Sequence, residues 1–340
     1  MLNIGVIGCG YWGPKLIRNI NLLKNVSLKY ISDLNESSLL EIKKKYPNTI
    51  FTNDYMQILN DHEVDAVVIA TPVHTHFHFA KEALRFNKHV FVEKPLTQNS
   101  NQAEELYAIA KGKNLVLMVG HVFLYTASVR KMREIIDSGV IGNVQHIKSQ
   151  RLDFGLIRND VNVLWDLAPH DISIVQYLLE GAEIKAVNAI ASKNVLNIED
   201  TASLTLTFKN GINAFIQCSW LNPEKVREVV VVGTKGMVVY DEMEQNDKVK
   251  VYTKSVSNEL INGEVSFTYH QGSLSIPDLD KTEALLVELS HFVYCINSNI
   301  EPNSGGRAGI EVVKVLEAAD ESIKENGKQI QLNLEEVTVG

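Results

Sequence analysis

The sequence predicts an α/β protein whose first half is a doubly wound parallel sheet and whose second half is an α+β domain on a largely antiparallel sheet. Short β-branched runs alternate with helical periodicity in the first half, and longer strands joined by hairpin turns follow in the second. The chain has 340 residues, which exceeds what one hydrophobic core usually supports. We therefore expect two domains, at residues 1–124 and 125–340.

The first half carries short apolar runs that are typical of strands, at 3–7, 27–32, 65–70, 88–92 and 115–119. The segments between them have apolar residues at helical spacing, and this alternation is typical of β-α-β units and of a parallel sheet. The run Val67 to Ile69 is apolar on both faces, as expected for a strand that helices cover on each side.

The second half has a different order of elements. Its pattern predicts helices at 128–138, 170–179, 281–298 and 305–326, and strands at 143–153, 202–208, 212–220, 227–233 and 237–240. Turns ending in Gly211 and Gly236 join two pairs of these strands, which indicates antiparallel hairpins. Residues 255–280 show little periodicity and fit either a long loop or a strand pair.

Composition and charge exclude several classes of protein. Apolar residues make up 45% of the chain and charged residues 22%, as in folded globular proteins. The formal net charge is -8, and the longest basic run is Lys43 to Lys45. Without a basic surface to meet phosphates, a nucleic-acid partner is not expected.

The cysteines and the N-terminus indicate a cytoplasmic protein. The three cysteines, Cys9, Cys218 and Cys295, are widely spaced, and no two of them form a CxxC motif. This spacing argues against a disulfide framework or a structural zinc site. The N-terminus enters a strand pattern at Leu2 without a charged leader and apolar targeting segment. No stretch reaches the roughly 18 apolar residues that a membrane span needs.

A glycine motif follows the first predicted strand. Gly8, Gly10 and Gly13 form GxGxxG directly before a helix with apolar Leu16 and Ile17. In that context the first glycine permits a tight turn, the second lets the backbone approach a pyrophosphate, and the third allows close packing of helix on strand. The helix N-terminus then faces the phosphates. The sequence therefore predicts a dinucleotide site in a Rossmann domain.

Asp33 ends the second predicted strand, 20 residues after Gly13. A carboxylate there accepts hydrogen bonds from the adenosine ribose hydroxyls and repels a 2′-phosphate, which favours NAD over NADP. The alternative is that Asp33 only caps the following helix.

Two further motifs stand at the carboxyl ends of strands, the edge where ligands bind in open α/β sheets. Thr71 and Pro72 follow strand 65–70, and Glu93 and Lys94 follow strand 88–92. A lysine at that edge can position a hydroxyl and relay its proton. Taken alone, the Glu93-Lys94 dipeptide would be read as a surface ion pair.

Together these motifs resemble the glucose-fructose oxidoreductase / inositol dehydrogenase family, called Gfo/Idh/MocA, over essentially the whole chain. The resemblance rests on GxGxxG, on Ala70-Thr71-Pro72 with His76, on Val92-Glu93-Lys94-Pro95-Leu96 and on Asp166-Leu167-Ala168-Pro169-His170. It implies an NAD-dependent oxidoreductase in which Lys94, Asp166 and His170 flank the reacting hydroxyl. The residues expected at the cofactor are Gly8, Gly10, Tyr11, Trp12, Gly13, Asp33, Thr71, Pro72, His76, Glu93, Lys94 and His121.

Asp166 and His170 also have a physical reading of their own. Residues four apart share one face of a helix, although Pro169 suggests a helix that starts there instead. Taken alone, the pair is better explained by a helix cap or by a buried histidine with its hydrogen bonds satisfied. The sequence departs from the family pattern where Leu164 and Trp165 replace glycines before Asp166, which puts the local backbone in doubt.

Several other polar residues fit two interpretations. The spacing of His74 and His78 allows a metal site, but no carboxylate completes a known signature, so no metal is expected. His121 is either a cofactor contact or a packed loop histidine. Tyr11 and Trp12 either pack on the first helix or stack on substrate. Four residues before Asp166 fit either substrate binding or ordinary loop polarity: Arg151, Arg158, Asn159 and Asn162.

The expected reaction is hydride transfer between a sugar-type carbinol carbon and the nicotinamide, with Lys94 and His170 handling the hydroxyl proton. Within the family, the GCGYWGPK and WDLAPHD segments are similar to nucleotide-sugar 3-dehydrogenases of surface-polysaccharide pathways, for example those acting on UDP-N-acetylglucosamine or its uronate. A free polyol or cyclitol is the alternative substrate, and a catalytically silent NAD-binding regulator is the alternative function.

The partly apolar sheet at 202–240 also predicts self-association, to a homodimer or homotetramer. The run Val229 to Val232 is apolar on both sides, and a sheet that helices cover on one face only needs a partner on the other.

Overall fold

The computed structural model describes residues 1–155, 157–158, 161–195, 197–261 and 264–332. Contacts divide the chain into two compact units. The first holds Met1–Tyr125 and Thr282–Lys314, and the second holds Thr126–Lys281 and the described residues from Val315 onward. Relative to the ranges predicted from sequence, the segment 282–314 lies with the first unit. The functional assignment of those ranges stays a prediction.

The first unit is built on a six-stranded parallel sheet with the order β3-β2-β1-β4-β5-β6. Its strands are β1 (Leu2–Ile7), β2 (Val26–Ser32), β3 (Ile50–Thr52), β4 (Ala66–Ile69), β5 (His89–Glu93) and β6 (Leu117–Gly120). Its helices are α1 (Gly13–Leu22), α2 (Glu36–Lys43), α3 (Met56–Asn60), α4 (Val73–Arg85), α5 (Ser100–Gly112), the short 3₁₀ helix Val122–Tyr125 and, later in the chain, α8 (Ala284–Ser298). This strand order is that of dinucleotide-binding Rossmann domains, so the predicted parallel sheet is confirmed.

The second unit is built on a nine-stranded, largely antiparallel sheet with the order β16-β13-β12-β11-β7-β10-β9-β8-β17, in which only β7 and β10 pair in parallel. Its strands are β7 (Val144–Phe154), β8 (Ile184–Ser192), β9 (Thr201–Phe208), β10 (Asn213–Ser219), β11 (Leu221–Gly233), β12 (Gly236–Asp241), β13 (Val249–Tyr252), β16 (Leu274–Ser275) and β17 (Ile330–Gln331). Its helices are α6 (Ala127–Asp137) and α7 (Val163–Leu178), and the division between the units falls inside α9 (Gly306–Lys324). The predicted antiparallel sheet is thereby confirmed.

One face of the nine-stranded sheet is covered by α6 and α7. Leu204, Leu206 and Phe208 on β9 are buried on that face, as the alternation in the sequence predicts. The run Val229 to Val232 places valine side chains on both faces of the sheet, as its sequence predicts. Val229 and Val231 are buried, whereas Val230 and Val232 are only half-buried on the open face.

The region 255–280, which the sequence left open, contains a separate two-stranded ribbon. It consists of β14 (Ser255–Ile261) and β15 (Glu264–His270), paired in antiparallel register. None of the described helices combines the length and the hydropathy that a membrane-spanning helix requires.

Candidate functional site

The loop between β1 and α1 has the close packing that the glycine motif predicts. Gly8 has φ +102°, and a Cβ there would lie 2.5 Å from the Ala70 carbonyl oxygen. A Cβ on Gly13 would lie 2.3 Å from the Gly8 carbonyl oxygen, whereas a Cβ on Gly10 would meet open space. The first and third glycines are therefore required by packing, and the second leaves the backbone open to a ligand. This geometry fits a pyrophosphate at the start of α1.

Asp33 directly follows β2 and is hydrogen bonded to this loop. Its carboxylate accepts hydrogen bonds from the backbone N–H of Cys9 at 2.5 Å and of Asn35 at 2.7 Å. The N-cap of α2 is Asn35, whose side chain accepts from the N–H groups of Ser37 and Ser38. Helix capping therefore does not explain Asp33, and its carboxylate is fixed beside the glycine loop, where the adenosine ribose is expected.

His76 links the loops that follow β4 and β5. The side chain is buried, with Nδ1 2.9 Å from the Pro95 carbonyl oxygen and Nε2 2.8 Å from the Thr71 carbonyl oxygen. Burial lowers the pKa of His76, so a neutral ring donates to one of the two carbonyls. Both nitrogens face the protein backbone, so His76 holds the two loops together, including Thr71 and Pro72.

Glu93, Lys94 and His121 meet at the carboxyl ends of β5 and β6, where Glu93 pairs with Gly120. Burial raises the pKa of the Glu93 carboxyl to about 7, against the opposing influence of the Lys94 charge. His121 is 1% exposed, and burial followed by the Lys94 charge lowers the pKa of its imidazole to about 3. At neutral pH the imidazole of His121 is therefore neutral.

Tyr11 and Trp12 do not pack in the core beneath α1. Tyr11 is 79% exposed and meets Trp12 edge to face. The Lys15 ammonium lies 3.9 Å from the Tyr11 ring centroid and 4.2 Å from that of Trp12. The two rings therefore hold a cation at the first turn of α1, close to the glycine loop.

In the second unit, Asp166 and His170 lie on one face of α7. The helix begins at Val163, with the Asn162 side chain accepting from the Trp165 N–H, and Pro169 lies inside it. The prediction that this helix starts near residue 170 was therefore wrong. The physical reason is that Asn162 caps an earlier turn and contacts beyond α7 hold it, so the proline is tolerated within the helix.

Those contacts come from Asp320 on α9. Its carboxylate accepts hydrogen bonds from Asn162 Nδ2 at 3.0 Å and from Trp165 Nε1 at 2.7 Å. Trp165, which stands where the family pattern has glycine, thus anchors the first turn of α7. The doubt that the sequence raised about the local backbone is resolved by this side-chain contact.

Asp166 accepts hydrogen bonds from the side chains of Trp220 and Arg158. Trp220 Nε1 donates to Oδ2 at 3.1 Å, and Arg158 donates to Oδ1 at 3.4 Å. Trp220 is buried just after β10, and the sequence analysis did not single it out. Its position at the end of a strand is the one feature of the sequence that could have drawn attention to it. The contact with Asp166 itself could not be predicted, because the two residues are 54 positions apart in the sequence. Asp166 is therefore held in one orientation.

The remaining polar candidates before Asp166 have different roles. Arg151 is 4% exposed and donates to Asp171 at 2.7 Å and 3.3 Å, which ties α7 to β7. Asn162 is the cap of α7 and Arg158 contacts Asp166. Asn159 lies outside the described residues. Of the three candidates that are described, Arg158 is the one with a side-chain hydrogen bond to Asp166.

The histidines at the start of α4 do not gather around a metal position. The structure places His78 Nε2 3.0 Å from the Tyr55 hydroxyl. Among the described residues, no group of three or more His, Cys, Asp or Glu side chains is arranged to hold a metal ion.

Two family models match the chain. The model of the oxidoreductase family with an NAD-binding Rossmann fold, GFO_IDH_MocA, matches residues 2–121, and the GFO/IDH/MocA C-terminal domain matches residues 129–239. Together they cover more than half of the sequence.

Characterised proteins of known sequence and structure agree with these models. Myo-inositol 2-dehydrogenase of Thermotoga maritima is 26% identical, with 99% of each chain covered. UDP-N-acetylglucosamine 3-dehydrogenase of Acidithiobacillus ferrooxidans is 28% identical over 74% of this chain and 76% of its own. In a comparison of structures it superposes with a TM-score of 0.80, covering 95% of this chain and 98% of that one, at 25% identity.

The glycine loop, the strand order and the motifs at the carboxyl edge of the first sheet agree with the model of the NAD-binding Rossmann fold. The chain belongs to the GFO/IDH/MocA family of oxidoreductases with an NAD-binding Rossmann fold.

Proposed function

We propose that this protein oxidises, or in reverse reduces, a sugar hydroxyl with NAD, and that the substrate is a nucleotide-linked sugar such as UDP-N-acetylglucosamine or its uronate, reacting at C3. The observation that carries the proposal is the likeness over nearly the whole chain to a UDP-N-acetylglucosamine 3-dehydrogenase. A role in surface-polysaccharide biosynthesis, in the cytoplasm, follows from that substrate.

The cofactor residues of the proposal lie in the first unit. Gly8, Gly10 and Gly13 hold the pyrophosphate, Asp33 holds the ribose, and Thr71 with Pro72, positioned by His76, lines the nicotinamide end together with Glu93, Lys94 and His121. Tyr11 and Trp12 flank the glycine loop. When bound, NAD supplies the hydride acceptor.

The catalytic residues of the proposal are Lys94, Asp166 and His170. Lys94 and His170 bind the substrate hydroxyl and exchange its proton, because an amine and an imidazole are both able to do so near neutral pH. Asp166 orients its neighbours, which is supported by the fixed position of its own carboxylate between Trp220 and Arg158. The resemblance to the family assigns all three residues to one reaction.

Arg158 supports a nucleotide-linked substrate. Its side chain is 40% exposed beside Asp166. A guanidinium binds phosphate oxygens well because its N–H groups match their geometry. A free cyclitol has no phosphate, so a nucleotide sugar makes better use of this cation.

The second candidate is a polyol or inositol dehydrogenase, favoured by the full-length match to myo-inositol 2-dehydrogenase. A panel of nucleotide sugars and free polyols, incubated with the NAD-loaded protein, separates the two. We expect the absorbance of reduced cofactor and a product lighter by two hydrogens with a UDP-sugar. Oxidation of myo-inositol alone would favour the second candidate, and no single turnover with either class would favour a silent regulator.

A further inference from the structure

Lys15 is a basic residue at the end of α1 where a cation is least favourable. The helix begins at Gly13, and its first turn contains no acidic residue. The helix dipole gives this end a partial positive charge, so a lysine there is repelled, whereas an anion is attracted. The stability of α1 therefore does not explain the position of Lys15, but a bound anion would.

Two aromatic rings hold the Lys15 ammonium. It lies 3.9 Å from the ring centroid of Tyr11 and 4.2 Å from that of Trp12, and the two rings meet edge to face at 5.9 Å. Among the described residues, no carboxylate forms an ion pair with Lys15. A ring face attracts a cation without neutralising it, as a carboxylate would. Lys15 therefore keeps its positive charge beside the glycine loop.

The start of α1 is short of backbone donors. The first four N–H groups of a helix have no acceptor within it, and they are the groups that bind anions. In α1 they belong to Trp12, Gly13, Pro14 and Lys15. Pro14 has no N–H group, and the N–H of Lys15 donates to the Trp12 carbonyl at 3.0 Å. Two of the four donors are thus unavailable to a pyrophosphate, and a side-chain cation at the same place can compensate.

The glycine loop leads a ligand to this cation. A Cβ on Gly10 would meet open space, so a pyrophosphate can approach the backbone there. Gly10 directly precedes Tyr11 and Trp12 in the sequence. A phosphate that reaches the backbone at Gly10 is therefore next to the two residues whose rings carry the Lys15 ammonium.

The charge of Lys15 also acts at the ligand-binding edge of the sheet. Burial raises the pKa of the Glu93 carboxyl to about 7, and the charges of Lys94 and Lys15 oppose that shift. Glu93 ends β5, at the carboxyl edge of the parallel sheet where dinucleotides bind. Lys15 is therefore within electrostatic reach of the cofactor edge.

We propose that Lys15 is a cofactor-binding residue whose ammonium, positioned on the Tyr11 and Trp12 rings, binds the pyrophosphate of NAD. Its charge compensates for the N–H groups that α1 does not offer at its start. The rings restrict the flexible lysine side chain in advance, so less conformational entropy is lost when the phosphates bind. NAD binding itself follows from the family. The assignment of Lys15 does not depend on which sugar is oxidised.

Titration of the full-length protein with NADH, followed by the fluorescence of the cofactor, tests the charge. We expect Lys15→Met to bind NADH about ten- to hundredfold more weakly, because a hydrogen bond to a charged group is lost. Lys15→Arg keeps a cation that binds phosphate, and its affinity should stay within about threefold of the parent. Lys24→Met removes the same charge from an exposed position after α1 and is the matched control, so it should bind NADH like the parent.

Fragments of the cofactor show which part of it Lys15 binds. ADP-ribose carries the pyrophosphate, and as a competitor of NADH it should lose affinity for Lys15→Met as NADH itself does. Adenosine has no phosphate, so as a competitor it should bind the parent and Lys15→Met equally well. An equal loss with adenosine would mean that the substitution disturbs the whole loop, and it would overturn the proposal.

The role of the rings is tested by a double-mutant cycle. Tyr11→Leu should weaken NADH binding about two- to fivefold in the parent, which is the effect of an exposed cation–π contact. In the Lys15→Met background the same substitution should have little effect, because there is no cation left to position. Equal effects in both backgrounds would show that the ring acts independently of Lys15 and would contradict the proposed positioning.

A titration with UDP separates the cofactor from a nucleotide-linked substrate. If Lys15→Met weakens the binding of UDP and leaves NADH and ADP-ribose unchanged, the lysine serves a substrate phosphate and the proposal is wrong. Unchanged affinity for all of these ligands would overturn it as well. Weaker NADH binding by Lys15→Met, together with a parent that oxidises no sugar, would support the proposal and count only against the proposed function.

Discussion

Titratable side chains with unusual surroundings gather at the carboxyl ends of β5 and β6. There the backbone pairing of Glu93 with Gly120 brings Lys94 next to a buried, neutral His121. In the second unit, Asp166 is oriented by Trp220 and Arg158. Such perturbed groups at a sheet edge are typical of active sites, and the effect of single substitutions there is specific enough to test.

Replacement of either proposed catalytic base should stop turnover without releasing the cofactor. Lys94→Met and His170→Ala are each expected to lower the single-turnover rate by about 10²–10⁴, because a positioned proton donor or acceptor is lost. NAD affinity, measured by fluorescence titration, should change little, since Gly8 to Gly13 hold the pyrophosphate. Asp166→Asn should cost less. Rates within about threefold of the parent for both variants would move the active site elsewhere.

Asp33 should make the protein select NAD over NADP. Its carboxylate is fixed by the Cys9 and Asn35 N–H groups and would repel a 2′-phosphate. Titration with NADH and NADPH should show the tighter binding with NADH. Equal or tighter binding of NADPH would show that Asp33 only supports the glycine loop.

Glu288 is fully buried in the middle of α8, and burial together with the charge of Glu93 raises the pKa of its carboxyl, which predicts a pH dependence of stability. Its pKa in the folded protein lies above the unfolded value of 4.5, so between these two values the folded state binds a proton that the unfolded state has lost. The free energy of unfolding therefore falls as the pH rises through that window. Glu288→Gln should show a shallower fall, by at most about 1.4 kcal/mol per pH unit.

Denaturant titrations of the parent, Glu288→Gln and the exposed control Glu224→Gln at several pH values measure this difference. Glu93 remains in all three proteins and contributes the same kind of slope. Equal slopes for the parent and Glu288→Gln would mean that Glu288 has the same proton occupancy in the folded and unfolded chains.

At the scale of elements, α7 is positioned from two sides. Asp320 holds its first turn through Asn162 and Trp165, and Asp171 holds its middle through Arg151 on β7. Ser149 Oγ adds a hydrogen bond to Asp171 at 2.6 Å. These contacts explain how a helix with an internal proline keeps Asp166 and His170 on one face.

Loss of the Asp171 carboxylate should destabilise the second unit strongly. Asp171→Asn removes the carboxylate that pairs with the buried Arg151 guanidinium, and loss of one member of a comparable buried pair costs about 3–5 kcal/mol. The exposed Lys209→Met, which removes the surface pair with Glu183, is the control and should cost less than about 1 kcal/mol. Denaturant unfolding measures both, and equal effects would show that the buried pair adds nothing beyond a surface contact.

At the scale of the whole molecule, apolar side chains remain exposed on the second unit. Phe215 and Ile190 lie on the open face of the nine-stranded sheet, 46% and 59% exposed. The two-stranded ribbon also has an apolar side, formed by the exposed Val256, Leu260, Val265, Phe267 and Tyr269. A two-stranded ribbon alone is marginally stable in water, so both surfaces favour contact with another copy.

Sedimentation at micromolar concentration should therefore show a dimer or tetramer. Phe215→Glu places a charge on the open face and should shift the protein toward smaller species. Leu40→Glu, at an exposed position on α2, is the control and should leave the association unchanged. A stable monomer of the parent at that concentration would contradict the expected self-association.

The sequence by itself determined the parallel first sheet, the antiparallel second sheet, the glycine loop and the family. These features are encoded locally, because side-chain periodicity, turn residues and short motifs act over a few neighbouring residues. The brief edge strand β3, with three residues, lacked enough periodicity to be predicted.

Only the tertiary structure decided which distant residues complete the site. Trp220 meets Asp166 across 54 residues, and Asp320 meets Trp165 across 155. No local pattern marks such partners, since they are selected by the packing of helices on sheets. That packing also moved the start of α7 to Val163, because a capped and anchored first turn outweighs the cost of Pro169 inside the helix.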